Sequence, residues 1–297
     1  MSHPLSASYY PDQATQAKVR ILENTPLAKE TFRLRFDCPE IASRIVPGQF
    51  IMVRLAGYDD PLLGRPLALY DTVLDASGNP TGLDIVYLVL GKMTSRLAQL
   101  TAGVELDVWG PLGNGFPPQE ADHLVMVAGG IGQTPFPALA QEVFGRRSYG
   151  DPPRMASSTQ RVTLCYGARS AEYLADVARF EQMGVDVRLS TDDGTMGHQG
   201  LVTDLLKDLL AEKTTTGSSA SRQTRIVCCG PEPMMEAVAR IASQADIPCQ
   251  VSLETPMACG IGICFSCVTR VRDASGTWDY KRTCVDGPVF EASQIDW

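Results

Sequence analysis

Leu124-Val125-Met126-Val127-Ala128-Gly129-Gly130-Ile131-Gly132-Gln133-Thr134-Pro135 passes from an apolar run through three glycines to a proline. Residues 124–128 read as a buried strand, and a helix is expected from about Pro135 to Phe144. Thr134 can cap that helix, with Pro135 at its first position. Glycines between a strand and a helix let a phosphate-bearing ligand approach the backbone, where the helix N-terminus offers free N–H groups. This makes Gly129, Gly130, Gly132 and Thr134 candidates for nucleotide binding. A plain strand–helix turn fits the same residues, because the G-x-G-x-x-G fingerprint is absent.

Downstream the alternation repeats. Strand-like 161–166, 185–190, 225–229 and 250–254 are interleaved with helical 171–183, 201–210 and 232–245. Strands alternating with helices imply a parallel sheet covered by helices. Upstream the pattern is different. Candidate strands at 16–23, 29–37, 49–56, 64–71, 83–90 and 104–109 are separated by turn signals such as Pro47-Gly48 and Ser77-Gly78-Asn79-Pro80. Only 94–100 reads as helical there. Six such strands predict an antiparallel β-barrel. The expected fold class is therefore multidomain α/β plus β. It comprises an N-terminal extension (1–15), a barrel (16–120), a Rossmann-like parallel α/β domain (121–250) and a small cysteine-bearing domain (251–297). The last domain ends in a strand pair at 267–272 and 277–282. Polar stretches at 145–160 and 211–224 read as surface loops and receive no function.

Composition narrows the class. A 44% hydrophobic and 20% charged chain of 297 residues has the make-up of a globular protein with two or three domains. No apolar run approaches the roughly 20 residues of a membrane span, and no secretory signal is expected from MSHPLSASYYPDQ. The net charge of −8 argues against a nucleic-acid partner. His3, His123 and His198 stand alone and read as structural or surface residues. No G-x-S-x-G and no P-loop occur.

The cysteines carry the chemistry. Cys259-Gly-Ile-Gly-Ile-Cys264-Phe-Ser-Cys267 has the C-x4-C-x2-C spacing of plant-type [2Fe–2S] ligands, and Cys284 follows as a distant fourth. Gly260 and Gly262 let the loop curl and bring backbone N–H groups to the sulfurs. A structural zinc site is the alternative, but zinc knuckles come as C-x2-C pairs and only one is present. Cys38, Cys165, Cys228, Cys229 and Cys249 are scattered through apolar runs and read as buried free thiols, which suits a reducing cytosol.

Four further segments are candidate cofactor contacts. Cys229-Gly230-Pro231-Glu232-Pro233-Met234 ends a predicted strand, the edge at which α/β sheets bind ligands. Cys229, Gly230, Pro231 and Met234 are placed near a nicotinamide. Arg65, in Gly64-Arg65-Pro66-Leu67-Ala68, suits a diphosphate because its planar fork binds phosphate oxygens in pairs. Gly91-Lys92-Met93-Thr94 offers N–H groups to the same diphosphate. Thr191-Asp192-Asp193-Gly194 is either a plain turn or part of the nucleotide site.

In this order the motifs resemble the ferredoxin–NADP reductase superfamily. They resemble more closely the electron transfer subunits of class B dihydroorotate dehydrogenases. Glu254-Thr-Pro-Met257-Ala-Cys259-Gly-Ile-Gly-Ile-Cys264 and Arg282-Thr-Cys284-Val-Asp-Gly-Pro-Val-Phe290 carry the resemblance, which extends from about residue 16 onward. It implies FAD on the barrel, NAD on the α/β domain and a [2Fe–2S] cluster on Cys259, Cys264, Cys267 and Cys284. The flavin segments map to Arg65, Pro66, Leu67, Ala68, Val86, Tyr87, Leu88, Gly91, Met93 and Thr94, with Asp192 on the nucleotide side. Ala68 stands where the family has Ser, and Met93 where it has Gly. The resemblance further implies a cytoplasmic oxidoreductase that binds an FMN-containing catalytic subunit, two copies of each, in the oxidation of dihydroorotate for pyrimidine synthesis. Electron-bifurcating ferredoxin:NADP oxidoreductase subunits and the gamma subunits of hydrogenases or sulfide dehydrogenases share the motifs. A non-enzymatic four-cysteine zinc scaffold is the reading from another class.

Overall fold

The computed structural model describes residues 11–118, 120–154, 159–215 and 224–297. Residues 1–10, with His3, and parts of the 145–160 and 211–224 stretches lie outside these.

Six strands close the expected barrel. They are β1 (Thr15–Ala28), β2 (Thr31–Asp37), β3 (Phe50–Leu55), β4 (Arg65–Leu74), β5 (Pro80–Leu88) and β6 (Glu105–Leu112), in the order β1-β2-β5-β4-β3-β6, every pair antiparallel. In β6 half-buried and buried residues alternate without exception, so one face turns inward and the other stays partly open. Helix α1 (Pro39–Ala42) packs Ile41 and Ala42 inward, and α2 (Lys92–Leu97) does the same with Met93 and Leu97.

The second body is a seven-stranded sheet. Its members are β7 (His123–Gly129), β8 (Arg161–Ala168), β9 (Asp186–Thr191), β10 (His198–Gln199), β11 (Thr224–Cys229), β12 (Cys249–Ser252) and, from the far end of the chain, β15 (Val289–Glu291). The order is β10-β9-β8-β7-β11-β12-β15, parallel except for β15. β7 is buried at six consecutive positions, as a central strand covered on both faces must be. Helices α3 (Phe136–Val143), α4 (Val177–Gln182), α5 (Val202–Thr215) and α6 (Glu232–Gln244) supply the cover. A hairpin of β13 (Val268–Arg272) and β14 (Trp278–Arg282) completes the molecule.

Three expectations need correction. Thr134 does not cap α3, which begins at Phe136 behind Pro135 with no side-chain cap, because Thr134 closes the 3-10 turn Gly130–Gln133. The segment expected to be one helix at 171–183 is a 3-10 turn (Ala171–Tyr173) followed by the short α4. Asp176 takes a left-handed φ of 56°, and its carboxylate accepts the Tyr70 hydroxyl at 2.5 Å. The Ala175 N–H goes to the Tyr166 hydroxyl at 3.1 Å. Tertiary hydrogen bonds override local helix propensity here. Conversely, α5 runs to Thr215, into the stretch expected to be a loop.

Candidate functional site

The cysteine loop is built by backbone conformation. Gly260 and Gly262 have φ of +73° and +81°, and Phe265 joins them in the left-handed region. These turns fold Cys259 and Cys264 back on one another. The Ile261 N–H donates to the Cys259 sulfur at 3.4 Å, and the Ser266 hydroxyl lies 3.2 Å from the Cys264 sulfur. The β13–β14 hairpin brings Cys284 back to Cys267, sulfur to sulfur at 3.2 Å. Arg282 supports the loop from beneath. It donates to the Gly262 carbonyl at 3.1 Å, and its guanidinium lies 5.2 Å over the Phe265 ring.

These thiols are not alike. Burial acts to raise Cys264, but the Ser266 hydroxyl and backbone donors outweigh it and bring the thiol down to about 6. The hydrogen bond with Cys284 brings Cys267 down to about 7, whereas the same bond and burial push Cys284 far up. The four sulfurs form two pairs, Cys259 with Cys264 and Cys267 with Cys284, and one thiol of each pair, Cys264 and Cys267 respectively, is lowered toward the thiolate. Two pairs suit a cluster of two irons that takes two thiolates on each. A structural zinc ion needs four ligands at one point.

The loop is seated on the barrel. A Cβ at Gly260 would lie 2.6 Å from Met52 Cγ and 3.0 Å from Leu112 Cδ1, so only glycine fits this contact. The Trp109 indole donates to the Cys259 carbonyl at 2.9 Å. Cys267, Cys284 and Val285 share one apolar cluster with Phe50, Met52 and Leu112. Phe50, Met52 and Val53 on β3 in turn pair with Ala68, Pro66 and Arg65 on β4. One strand separates the cysteine loop from the Arg65 segment. Asn114 fixes the Gly287–Phe290 segment from the barrel side. Its N–H and side chain bond the Gly287 and Val289 carbonyls, both at 2.7 Å.

On β4, residues 65–68 are half-buried while Leu69–Thr72 are fully buried. That uncovered, largely apolar run, with Leu90 85% exposed beyond the end of β5, is the surface a flavin would cover. Arg65 lends one guanidinium nitrogen to the Leu63 and Gly64 carbonyls, each at 3.0 Å. Val86 and Tyr87 are buried, and the Tyr87 hydroxyl donates to Asn24 at 3.0 Å. Met93 points into the barrel core. Thr94 accepts the Leu90 and Gly91 N–H groups.

The carboxyl ends of β7, β8, β9 and β11 open into a cleft of about 780 Å³. Leu88, Gly129, Gly130, Asp192, Gly230, Pro231 and Met234 line it, so residues far apart in sequence converge here. A Cβ on Gly130 would meet nothing within 4 Å, which leaves its backbone open to a ligand. A Cβ on Gly132 would sit 2.1 Å from the Cys229 carbonyl, so this glycine lets the turn after β7 pack on β11. Thr134 is buried. Gly132, Thr134 and Cys229 thus lie behind the cleft wall. The lining contains five carboxylates (Glu30, Asp192, Glu232, Glu254, Asp296) and one cation, Arg169.

Known proteins match these three parts separately. Residues 18–116 match an oxidoreductase FAD-binding domain, residues 126–240 an oxidoreductase NAD-binding domain, and residues 254–296 the iron–sulfur cluster binding domain of dihydroorotate dehydrogenase B. The electron transfer subunit of dihydroorotate dehydrogenase B (NAD(+)) from Desulforamulus reducens is 34% identical over 280 residues, covering 94% of this chain and 97% of that protein. Its counterpart from Bacillus caldolyticus is 34% identical over 272 residues, 91% of this chain and 94% of its own. The chain belongs to the dihydroorotate dehydrogenase B electron transfer subunit family. Among solved structures, the NADH-dependent reduced ferredoxin-NADP oxidoreductase studied for flavin-based electron bifurcation aligns with a TM-score of 0.76 at 28% identity, over 95% of this chain and 90% of that one. A ferredoxin NADP+ reductase from Neisseria gonorrhoeae shares the fold, with a TM-score of 0.61 at 17% identity, over 77% of this chain and 91% of that one.

This member of the family is an oxidoreductase with FAD-, NAD- and iron–sulfur-binding domains, and among its described residues no helix is long and apolar enough to cross a membrane. Sequence reasoning missed several residues at its sites. Arg169 lies at the carboxyl end of β8, and the same edge rule that found Pro231 points to it. Tyr173, Thr269 and Trp297 also line the cleft, and no local pattern marks them. Among the other cysteines, Cys38, Cys165, Cys228 and Cys249 are buried and Cys229 is half-buried. Burial raises Cys165, Cys229 and Cys249 each to about 12, which leaves them inert as nucleophiles. His123 is buried and bonded to Thr163.

Proposed function

We propose that this chain carries electrons between NAD(H) and an FMN-containing dihydroorotate dehydrogenase catalytic subunit in pyrimidine synthesis. FAD would take a hydride and release electrons singly, and a [2Fe–2S] cluster would pass them on. The observation that carries this reading is the strand relationship described above. The cysteine loop rests on Met52, and Met52 pairs with Pro66 of the flavin segment.

Within this proposal, the barrel (16–120) holds FAD against residues 65–68, Leu88 and Gly91–Thr94. The α/β domain (121–250) holds NAD at Gly129, Gly130, Asp192 and Gly230–Met234. The last domain (251–297) holds the cluster on Cys259, Cys264, Cys267 and Cys284. The protein's part is to place these groups in line and exclude water between them.

The partner would dock over the cysteine loop. Cys264 is exposed, its chain neighbours Ile263 and Phe265 are 66% and 54% exposed, and on β14 Trp278 and Tyr280 are 44% and 57% exposed. Exposed large apolar side chains on a ligand loop and its supporting hairpin suit an interaction surface. A heterotetramer with two copies of each subunit, in the cytoplasm, completes the proposal.

Co-expression with an FMN-containing catalytic subunit tests it. The purified pair should contain FAD, FMN and two irons per copy of this chain, and should oxidise dihydroorotate to orotate with NAD+. The solved bifurcating oxidoreductase, alike over 95% of this chain, supports a second reading with the same wire and another partner. A complex that lacks FMN and ignores dihydroorotate would favour that one. A colourless protein with stoichiometric zinc would exclude both.

A further inference from the structure

One wall of the nucleotide cleft belongs to the cluster-bearing segment. Thr269 on β13 and the residues Ile295, Asp296 and Trp297 line the cleft together with Gly129, Gly130 and Pro231. The tail lies along β13. Val271 bridges to Ile295, and the Asp296 N–H donates to the Arg270 carbonyl at 3.1 Å. The Asp296 carboxylate is only 12% exposed and pairs with Arg270 at 3.1 Å and with Arg272. Beyond it, the Arg270 guanidinium covers the Trp278 ring at 5.5 Å, and Trp278 meets Tyr280 edge-on at 5.3 Å.

Among the described residues, two aromatic side chains line the cleft, Tyr173 and Trp297. The Lys29 ammonium lies 5.0 Å over the Tyr173 ring and occupies one of its faces. Trp297 is half-buried and packs on the apolar core beneath the sheet, so its ring is seated rather than trailing. A seated indole in the same cleft as glycine-rich backbone is a stacking platform for a planar base. A sheltered carboxylate held between two half-exposed arginines, with its own N–H on the Arg270 carbonyl, fixes that platform better than a fully exposed pair would.

We propose that Trp297 is a binding residue of the nucleotide cleft, presenting its indole to the nicotinamide or adenine ring of an NAD-class dinucleotide. Asp296, Arg270 and Arg272 are the positioning residues that hold it there. The nucleotide site and the exposed aromatic pair on β14 then share one hairpin, the same hairpin that carries Cys267 and Cys284 at its ends. The inference rests on the reading of the cleft as the nucleotide site.

The test uses the complete protein with its cofactors and NAD+ as the probe, which binds without reducing the flavin. Calorimetry should show W297A binding NAD+ about tenfold more weakly, and W297F by no more than about threefold, because a ring remains. D296N should weaken binding in the same direction, and D296E should restore it. Visible circular dichroism of flavin and cluster reports whether each variant is folded. Should W297A fail to fold, NAD+ must protect the amides of residues 295–297 from hydrogen exchange in the wild type. An NAD+ affinity of folded W297A within twofold of wild type would overturn the inference alone. Absence of protection, where the variant does not fold, would do the same. No NAD+ binding by the wild type would overturn the reading of the cleft as well.

Discussion

Met52 on β3 pairs with Pro66 on β4 and, on the same strand, meets the backbone of Gly260 in the cysteine loop. Neighbouring strands lie about 4.8 Å apart, so the loop and the flavin segment are separated by little more than one strand. Gly260→Ala places a methyl 2.6 Å from Met52 Cγ at a φ of +73°, where a side chain is strained in any case. The loop must lift away from the barrel. Anaerobic stopped-flow should show NADH reducing the flavin at its normal rate while the cluster bleaches at least about tenfold more slowly, for which a barrier increase of about 1.4 kcal/mol suffices. Equal rates for both phases would disprove the proposed path.

Cys284 completes its pair with Cys267 from across the β13–β14 hairpin. Cys284→Ser removes one thiolate of four and leaves the flavin strand untouched. Iron analysis should fall well below two per chain, and the cluster absorbance should vanish while the flavin bands persist. NADH would still reduce the flavin. A full iron content in this variant would assign the fourth ligand elsewhere.

Asp71 is the rivet between barrel and α/β domain. It is 1% exposed and accepts from Arg147 at 2.9 Å, from the Tyr149 hydroxyl at 2.8 Å and from Arg179. The Tyr70 hydroxyl alongside bonds Asp176. Burial, reinforced by Asp71, holds Tyr149 well above the usual phenol range, so it remains a donor throughout the working pH range. Asp71→Asn leaves two arginines without their counter-charge, a loss of about 3 kcal/mol for a pair of this burial. Urea unfolding should show that loss, together with a weaker NADH affinity as the cleft widens. Unchanged stability would mean that the cluster of charges contributes nothing net.

The barrel and the parallel sheet were legible because their patterns are local. β6 alternates with period two, β7 is a continuous apolar run, and glycines mark the turn that follows it. The four cysteines were legible because ligand spacing is a constraint of the chain itself. What escaped was set by distant contacts. Asp176 breaks a helix to reach Tyr70, 106 residues away. Val289–Glu291 leaves the cysteine segment to pair with β12 as an antiparallel edge. A three-residue strand carries too little pattern to be seen. Trp297 reaches the cleft only because Asp296 is tied to β13, a fact no window of sequence contains.

Asp192 gives the last prediction. Of the acidic pair after β9, only Asp192 lines the cleft. Asp193 is folded into its own turn, accepting the Thr195 N–H at 3.0 Å and the Thr195 hydroxyl at 2.6 Å. An acidic residue at a strand end suits a ribose hydroxyl and repels a 2′-phosphate. Glu30, Glu232 and Glu254 in the lining add to that repulsion and Arg169 opposes it, while Asp296 is already paired with Arg270 and Arg272. Asp192→Ser should therefore raise KM for NADH severalfold and improve NADPH relative to NADH by at least about tenfold in kcat/KM, since one charge removed at contact range is worth more than about 1.4 kcal/mol. Flavin reduction by each nucleotide, followed in the same preparation, measures the ratio directly. A ratio that does not move would place the ribose away from Asp192 and return that residue to the plain turn.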